Sequence, residues 1–267
     1  MRESMAIDVM EDIVMEFVYP AVPDRNLPSI TALTARSVAL STLLGYHPPA
    51  LPISALVKVG ELFGIADRAT RVALTRMVRD GDVTVDNGVY RLSERLLRRQ
   101  AQQDALTSPP TRRWTGGWEM AVVTSTNRPL AERVALRKSM VRYRMGELRE
   151  GVWMRPDNLS RELDGGIIAG QCEFFVGHHA DSPSLAASLW DLPGWAVEAD
   201  RLLRVLDAAD SLAEGFMATA EVIRHLLLDP YLPDELLPAG WPADRLRERY
   251  TDFNAHYSER LRNYSGG

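Results

Sequence analysis

Residues 66–79 read Ala66-Asp67-Arg68-Ala69-Thr70-Arg71-Val72-Ala73-Leu74-Thr75-Arg76-Met77-Val78-Arg79. Wound at about 100° per residue, Ala66, Ala69, Thr70, Ala73, Leu74 and Met77 gather on one face. Arg68, Arg71, Thr75, Arg76 and Arg79 gather on the other. Asp67 is placed to cap the helix start, and Gly81 to end it. A face of small residues lets a helix pack close to its neighbours. A face of arginines can meet phosphates and base edges. The competing reading of this stretch alone is a solvated charged face, which many helices carry.

The flanking sequence favours the first reading. Ala35–Leu44 and Ile53–Phe63 have short apolar periods of helical spacing, and Gly64 closes the second. The arginine-faced helix follows after a turn of a few residues. Next comes Val83–Leu92, in which two alternating strands flank Asp86-Asn87-Gly88. Asn-Gly between alternating strands is a strong hairpin signal. Helix, helix, arginine-faced helix and β-ribbon is the order of a winged helix-turn-helix. In that arrangement Arg68, Arg71, Thr75, Arg76 and Arg79 are the DNA-contacting residues of the reader helix. Asn87 and Arg91 are those of the wing.

The net charge of -5 at first opposes a nucleic-acid partner. Its distribution does not. Residues 66–150 hold seventeen Arg or Lys against ten Asp or Glu, a balance of +7. The remainder holds fourteen against twenty-six, a balance of -12. An acidic remainder opposes non-specific coating of DNA and leaves one region attractive to it. The only lysines are Lys58 and Lys138, and arginine is the residue suited to bidentate recognition.

At 267 residues the chain has room for about two or three domains, and 46% hydrophobic residues suffice for packed cores. The single cysteine, Cys172, excludes an intrachain disulfide and a cysteine zinc site, and its apolar setting suggests an inert buried thiol. No run of about 18 uncharged apolar residues is present. The N-terminus carries Glu3, Asp8, Glu11, Asp12 and Glu16, which does not suit a secretory signal. These features predict a cytoplasmic protein.

The expected architecture is α+β and multidomain. It has an N-terminal extension (1–33), a winged helix-turn-helix domain (34–106), a linker (107–115), a ferredoxin-like α+β domain (116–183) and a helical C-terminal domain (184–267). Glu94–Gln103 is a basic helical tail to the wing. In the central part, Trp118–Ser125 reads as a strand and Pro129–Glu150 as one long helix ending at Gly151. Val152–Arg155 and Glu173–Val176 read as further strands. Beyond Ser184 the pattern is helical over 185–190, 195–215, 216–228 and 242–264, with Pro-rich turns between.

The chain resembles the PaaX-like family of bacterial transcriptional regulators over roughly residues 34–263. The resemblance rests on ARSVALSTLLG (35–45), RVALTRMVRDGDV (71–83) followed by YRLS (90–93), WEMAVV (118–123), LREGVWMRPDNL (148–159) and DPYLPDELLPAGWP (229–242). It implies a repressor with a winged helix, a central domain similar to a small CRISPR-associated endonuclease, and a helical C-terminal domain. It also implies dimers on palindromic operators, and release from DNA when an aryl-acetyl-CoA thioester binds. Arg71, Thr75 and Arg76 align with the family's recognition helix. The first thirty or so residues have no counterpart in the family's core pattern.

An acyl-CoA receptor should offer arginines and aromatic surfaces near an apolar slot. Arg133, Arg137 and Arg144 fall close to one face of the expected central helix. Trp190, Trp195, Tyr231 and Trp241 gather in the C-terminal half. Of these, Arg133, Arg137, Arg144, Trp190 and Trp241 are the candidate effector residues. The alternatives are a solvated or DNA-proximal arginine face and tryptophans used in core packing. Leu202, Leu203, Leu206, Leu212, Phe216, Leu226 and Leu227 suggest a homodimer held through 184–267.

No cofactor, metal or catalytic residue is expected. The first central strand ends Val123-Thr124-Ser125-Thr126 with no carboxylate to hold Mg²⁺, and Glu119 lies at the wrong end. His178 and His179 are adjacent, so in a strand they face opposite ways and share a metal poorly. Gly116-Gly117 and Gly165-Gly166 read as turns, and no phosphate-cradling or nucleophile-elbow motif occurs. Two rivals to an effector-released repressor stay open: a ligand-independent DNA-binding or architectural protein, and a nucleic-acid-processing enzyme using the central domain.

Overall fold

The computed structural model describes residues 34–160 and 166–265. The N-terminal extension 1–33, and Gly165 of the expected Gly165-Gly166 turn, lie outside the described residues. The fold is mixed α+β with two antiparallel sheets. Its contacts divide the described residues into two compact units. One holds 34–107, 202–223 and 245–265; the other holds 108–201 and 224–244.

The first unit opens with α1 (Ala35–Gly45), β1 (Ala50–Pro52), α2 (Ile53–Leu62) and α3 (Asp67–Arg79). It continues with β2 (Val83–Asp86), β3 (Val89–Leu92) and α4 (Glu94–Asp104). Thr34 caps α1, its Oγ1 accepting from the Ser37 amide at 3.1 Å. One device ends both α2 and α3. Gly64 and Gly81 adopt left-handed φ of 71° and 73°. The amides of Gly64 and Ile65 then donate to Glu61 and Gly60, and those of Gly81 and Asp82 to Val78 and Met77, the pattern of a Schellman cap. Asn87 (φ 49°) and Gly88 (φ 75°) form the two-residue turn between β2 and β3, as a tight hairpin requires. β1, not expected from sequence, pairs with β3 and makes the sheet three-stranded in the order β1-β3-β2.

The core of this unit joins Leu43, Leu51, Leu56, Val59, Leu74, Met77 and Leu96 to Phe216, Tyr257 and Leu261. The latter three come from α9 (Leu212–Leu226) and α10 (Ala243–Ser265), which follow α8 (Leu192–Asp207). Phe216 meets Phe63 edge-on at 5.1 Å, and the Tyr257 hydroxyl lies 3.0 Å from Thr42 Oγ1. Residues 184–267 are therefore divided between the two units rather than forming one separate layer. Leu202, Leu206, Phe216, Leu226 and Leu227 are buried within the chain itself, so they supply no surface for a second copy. The helix expected over 195–215 is interrupted. Ser211 Oγ accepts from the Glu214 amide at 3.2 Å while Glu214 Oε2 accepts from the Ser211 amide at 3.1 Å, a capping box that starts α9 afresh.

The second unit is built on β4 (Gly117–Val123), α5 (Leu130–Arg142), β5 (Gly146–Arg149), β6 (Val152–Pro156), α6 (Ile167–Gln171) and β7 (Cys172–His178). Its sheet order is β5-β6-β4-β7, with every neighbouring pair antiparallel. The helix expected to run to Glu150 stops at Arg142, and Gly146–Arg149 is a strand. The cause is Arg144, which takes a left-handed φ of 61°. Its guanidinium donates to the Leu227 carbonyl and lies 4.6 Å from the centre of the Tyr231 ring. The chain then pairs with β6 across Glu150-Gly151, overriding a local composition that favours helix.

One face of this sheet packs Ala121, Trp153 and Cys172 against Leu136 and Met140 of α5 and Ile168 of α6. Burial raises the Cys172 thiol above its ordinary value, in keeping with an inert group. The other face packs Trp118 and Met154 against Leu185 and Ala186 of α7 (Ser182–Leu189), with Leu192, Leu232 and Leu236.

In the same unit, His225 stacks on Trp195 at 4.3 Å, and Trp195 stacks on Trp241 at 4.5 Å. Burial is the main reason the His225 imidazole is held below its ordinary value. Arg201 adds to that, while Glu198 and the 2.9 Å contact of Nε2 with the Trp195 carbonyl oppose it. A histidine with a lowered folded-state value binds its proton more readily when unfolded. Its contribution to stability is therefore present above the unfolded value of about 6.5 and is lost progressively as the pH falls from there through the lower folded-state value. Thermal unfolding followed by tryptophan fluorescence should show a larger drop between pH 7.5 and 5.5 in the wild type than in His225→Gln. Equal drops would remove His225 as the cause.

Candidate nucleic-acid interface

Arg68, Arg71, Thr75, Arg76 and Arg79 all lie exposed on α3. The buried stripe behind them is narrower than its sequence suggests: Thr70, Leu74 and Met77 are buried, whereas Ala66 and Ala69 are exposed. Asp67 does not cap the helix. Ala66 holds the cap position without a side-chain bond, and Asp67 is the first helical residue. Its carboxylate instead takes Arg71, with Nε to Oδ1 at 2.5 Å and Nη2 to Oδ2 at 3.3 Å. The Thr75 hydroxyl donates to the Arg71 carbonyl at 3.0 Å. Arg79 pairs with Asp80 at 3.0 Å. Arg68 and Arg76 make no ion pair among the described residues. Asp67, Arg68, Arg71, Val72, Thr75 and Arg76 together line a shallow depression of about 430 Å³. It is an open surface on which three arginines outweigh one aspartate, a setting for a polyanion contact rather than an enclosed ligand site.

The surroundings of α3 hold this surface outward. Asp82, two residues past the Asp80 cap, has a side chain only 3% exposed and takes Arg36 of α1 and Arg95 of α4 at 2.5 Å each. Gln100 Nε2 donates to the carbonyls of Leu43, Leu44 and Tyr46, satisfying the end of α1. Asn87 occupies the tip of the β2–β3 hairpin. Arg91 is exposed on β3, opposite Thr84 and Ala50. On α4, Arg99 is lowered to about 10 by burial first and by Arg95 second, and so stays charged at neutral pH. Sequence reasoning passed over Arg36, Asp82 and Arg95, which are far apart in the chain. It also passed over the Asp67–Arg71 pair, which the i, i+4 spacing of opposite charges signals.

The five candidate effector residues do not converge. Arg133 is exposed on α5. Arg137 pairs with Glu147 at 2.5 Å and lies over the Trp153 ring. Arg144 is beyond the end of α5 and anchors the segment at Leu227 and Tyr231. Trp190 stacks on Trp118 and Trp241 on Trp195, both as packing within the core of the second unit. A hollow of about 270 Å³ in that unit is lined by Trp118, Met120, Leu148, Met154, Leu185, Gly177, His178 and His179, and by none of the three arginines.

At the ends of β4 the carboxylate chemistry is already engaged. Glu119 takes Arg155 Nε at 2.5 Å, and Arg155 Nη1 donates to the Tyr143 carbonyl at 3.0 Å. His178 and His179 place their Nδ1 atoms 3.1 Å from the Gly116 carbonyl and 2.8 Å from the Asp181 carbonyl. No group of three or more His, Cys, Asp or Glu suited to a metal ion occurs among the described residues.

The seat of α3 depends on one close approach. A Cβ added at Gly60 of α2 would lie 2.5 Å from Thr70 Oγ1, whereas Thr70 Cβ is 3.6 Å away. Alanine is favoured over glycine inside a helix by about 0.5–1 kcal/mol, but overpacking costs about 1–3 kcal/mol and wins here. Gly60→Ala should therefore lower the melting temperature. Adding Thr70→Ala should restore most of the loss, because the Thr70 hydroxyl is buried without a hydrogen-bond partner. Thermal unfolding of the single and double variants checks this, and a neutral Gly60→Ala would contradict it.

Comparison with known proteins bears on the whole chain. Residues 34–96 match the family described as PaaX-like protein, 111–183 the PaaX protein central Cas2-like domain, and 195–265 the PaaX-like protein C-terminal domain. A solved structure described as an uncharacterized protein, Rv0674 from Mycobacterium tuberculosis, is 46% identical with a TM-score of 0.81. That match covers 86% of this chain and 98% of the other. No curated protein matches. No helix among the described residues is long and apolar enough to cross a membrane. By these matches the chain belongs to the PaaX-like family, whose members are DNA-binding transcriptional regulators rather than enzymes.

Proposed function

We propose that this chain is a dimeric repressor that reads an inverted-repeat operator with α3 and is released by an aryl-acetyl-CoA-like thioester. The observation that carries the DNA part is the exposed face of Arg68, Arg71, Arg76 and Arg79, set before a hairpin whose tip is Asn87-Gly88. The order α1, α2, α3, β2, β3, with four residues between α2 and α3, supports a winged helix-turn-helix. Arg68, Arg71, Thr75, Arg76 and Arg79 enter the major groove or meet its flanking phosphates. Asn87 and Arg91 on the wing meet the adjacent backbone. The second unit has the element order β4-α5-β5-β6-α6-β7 and an antiparallel sheet ordered β5-β6-β4-β7. That topology supports a ferredoxin-like central domain.

One such reader covers only half a site, so two copies related by a twofold axis are the economical way to reach specificity. The exposed apolar residues of β7, an edge strand, are the surface that supports a second copy: Phe174, Phe175 and Val176. An exposed apolar edge strand is otherwise an aggregation liability. The thioester effector rests on family membership. Within it, Arg133 is the one candidate arginine that is exposed and makes no ion pair among the described residues.

The test is equilibrium binding to duplexes recovered from a random pool, over a range of salt, with phenylacetyl-CoA added to the complex. Arg71→Ala and Arg76→Ala should each weaken binding without loss of helicity. A base-edge arginine costs about 1–3 kcal/mol and blurs one position. A phosphate arginine weakens all sequences alike and reduces the salt slope by about 1. Unchanged affinity in both variants would remove α3 as the reader. A thioester that leaves DNA affinity unchanged would remove the switch and leave the DNA-binding reading standing.

A further inference from the structure

Among the exposed charges of α3, Asp67 is the one that opposes the rest. It stands at the start of a face otherwise made of arginines, where a carboxylate repels phosphate. Its partner is Arg71, one turn later, and the contact uses one particular edge of the guanidinium. Nε and Nη2 meet the two carboxylate oxygens, at 2.5 and 3.3 Å. That edge is therefore occupied. The other pair of parallel donors, the outward N–H groups of Nη1 and Nη2, stays free. Those two donors have the spacing that matches O6 and N7 of guanine in the major groove. The Arg71 backbone is held as well, since its carbonyl takes the Thr75 hydroxyl at 3.0 Å. Arg68 and Arg76 have no such brace among the described residues. Both groups of the pair are about half exposed, so the contact adds little to helix stability in water. An acid in the first turn also meets the helix dipole, worth about 0.3–1 kcal/mol, but that contribution needs no pairing with Arg71 and does not fix which edge of its guanidinium is used.

We infer that Asp67 and Arg71 act as one reading unit, in which the carboxylate holds the guanidinium end-on so that Arg71 selects a guanine in each half-site. The inference rests on the DNA-binding reading of α3. Asp67 is a positioning residue: it acts through Arg71 and carries a cost in general affinity, because it repels the phosphate backbone. Removing it therefore has two effects of opposite sign. Binding to any duplex strengthens, while the preference for guanine falls. A pair that merely stabilised the helix would also show the first effect, through the lost charge, but not the second.

The experiment uses the full chain and its Asp67→Asn, Asp67→Ala and Arg71→Lys variants. The probe is the duplex that the wild type enriches most from a random pool, together with a scrambled duplex. At one guanine per half-site, 7-deazaguanine removes the N7 acceptor. This should weaken the wild type about fivefold or more, and each Asp67 variant less than twofold. The Asp67 variants should bind the scrambled duplex more tightly than the wild type does, so the ratio of specific to scrambled affinity falls. Arg71→Lys, which lacks the fork, should lose the 7-deazaguanine penalty too. Circular dichroism should show unchanged helicity in all three. An unchanged 7-deazaguanine penalty in both Asp67 variants overturns the inference and leaves α3 as the reader. A wild type that binds no duplex fails the DNA-binding reading itself.

Discussion

The arrangement of the first unit depends on the Asp82 carboxylate. Asp82 lies just past α3, and its amide donates to Met77, closing that helix. Its carbonyl accepts from the Ser93 amide at the start of α4 at 2.9 Å. Its side chain, nearly inaccessible, takes Arg36 from α1 and Arg95 from α4. One residue thus joins three helices and the strand that begins at Val83. A buried carboxylate costs free energy unless it is paired. Breaking such a pair typically costs about 3–5 kcal/mol, less here because Arg95 is half exposed. The arrangement also separates the arginines by task. Arg36 and Arg95 are turned inward onto Asp82, while Arg68 and Arg76 stay outward on α3. The surface charge that can meet a polyanion is what remains after the fold has taken its share.

That separation bears on how an acidic protein can hold DNA. The overall charge of -5 keeps general attraction low, while the positive balance over 66–150 concentrates attraction around the proposed reader helix. Asp67 applies the same principle within a single helix face. On the proposed reading, general affinity is reduced and a directed contact is gained. In the central unit, most arginines serve structure: Arg155 on Glu119, Arg137 on Glu147 and Trp153, Arg144 on Tyr231 and Leu227. These pairings also explain why the arginines proposed to face a thioester phosphate do not gather.

What could be read from sequence follows a physical line. α3 and its hairpin were legible because their signals are local: the arginine period, the left-handed glycines Gly64 and Gly81, and Asn87-Gly88. β1 was not, since Ala50-Leu51-Pro52 is three residues long, and only pairing with β3 makes it a strand. The end of α5 was not, because a left-handed Arg144 is sustained by contacts with Tyr231 and Leu227, some eighty residues away. With the helix ending at Arg142, the same-face relation of Arg133, Arg137 and Arg144 no longer holds. The capping box of Ser211 and Glu214 was present in the sequence but was masked by the apolar period around it. The period of the C-terminal helices did show that faces are buried. It could not show against what, and Phe216, Tyr257 and Leu261 complete the core around α1 to α4. The tryptophans fell on the side of packing, as stacked pairs within the second unit.

The central claim is that α3 enters the major groove, twice, in a symmetric pair. Dimethyl sulfate protection on a duplex recovered from a random pool tests it directly, because guanine N7 lies in the major groove and adenine N3 in the minor groove. The account predicts two clusters of protected guanine N7, centred about 10 base pairs or a multiple of that apart and related by a twofold axis. Protection confined to adenine N3, or a single cluster with no symmetric partner, would contradict it.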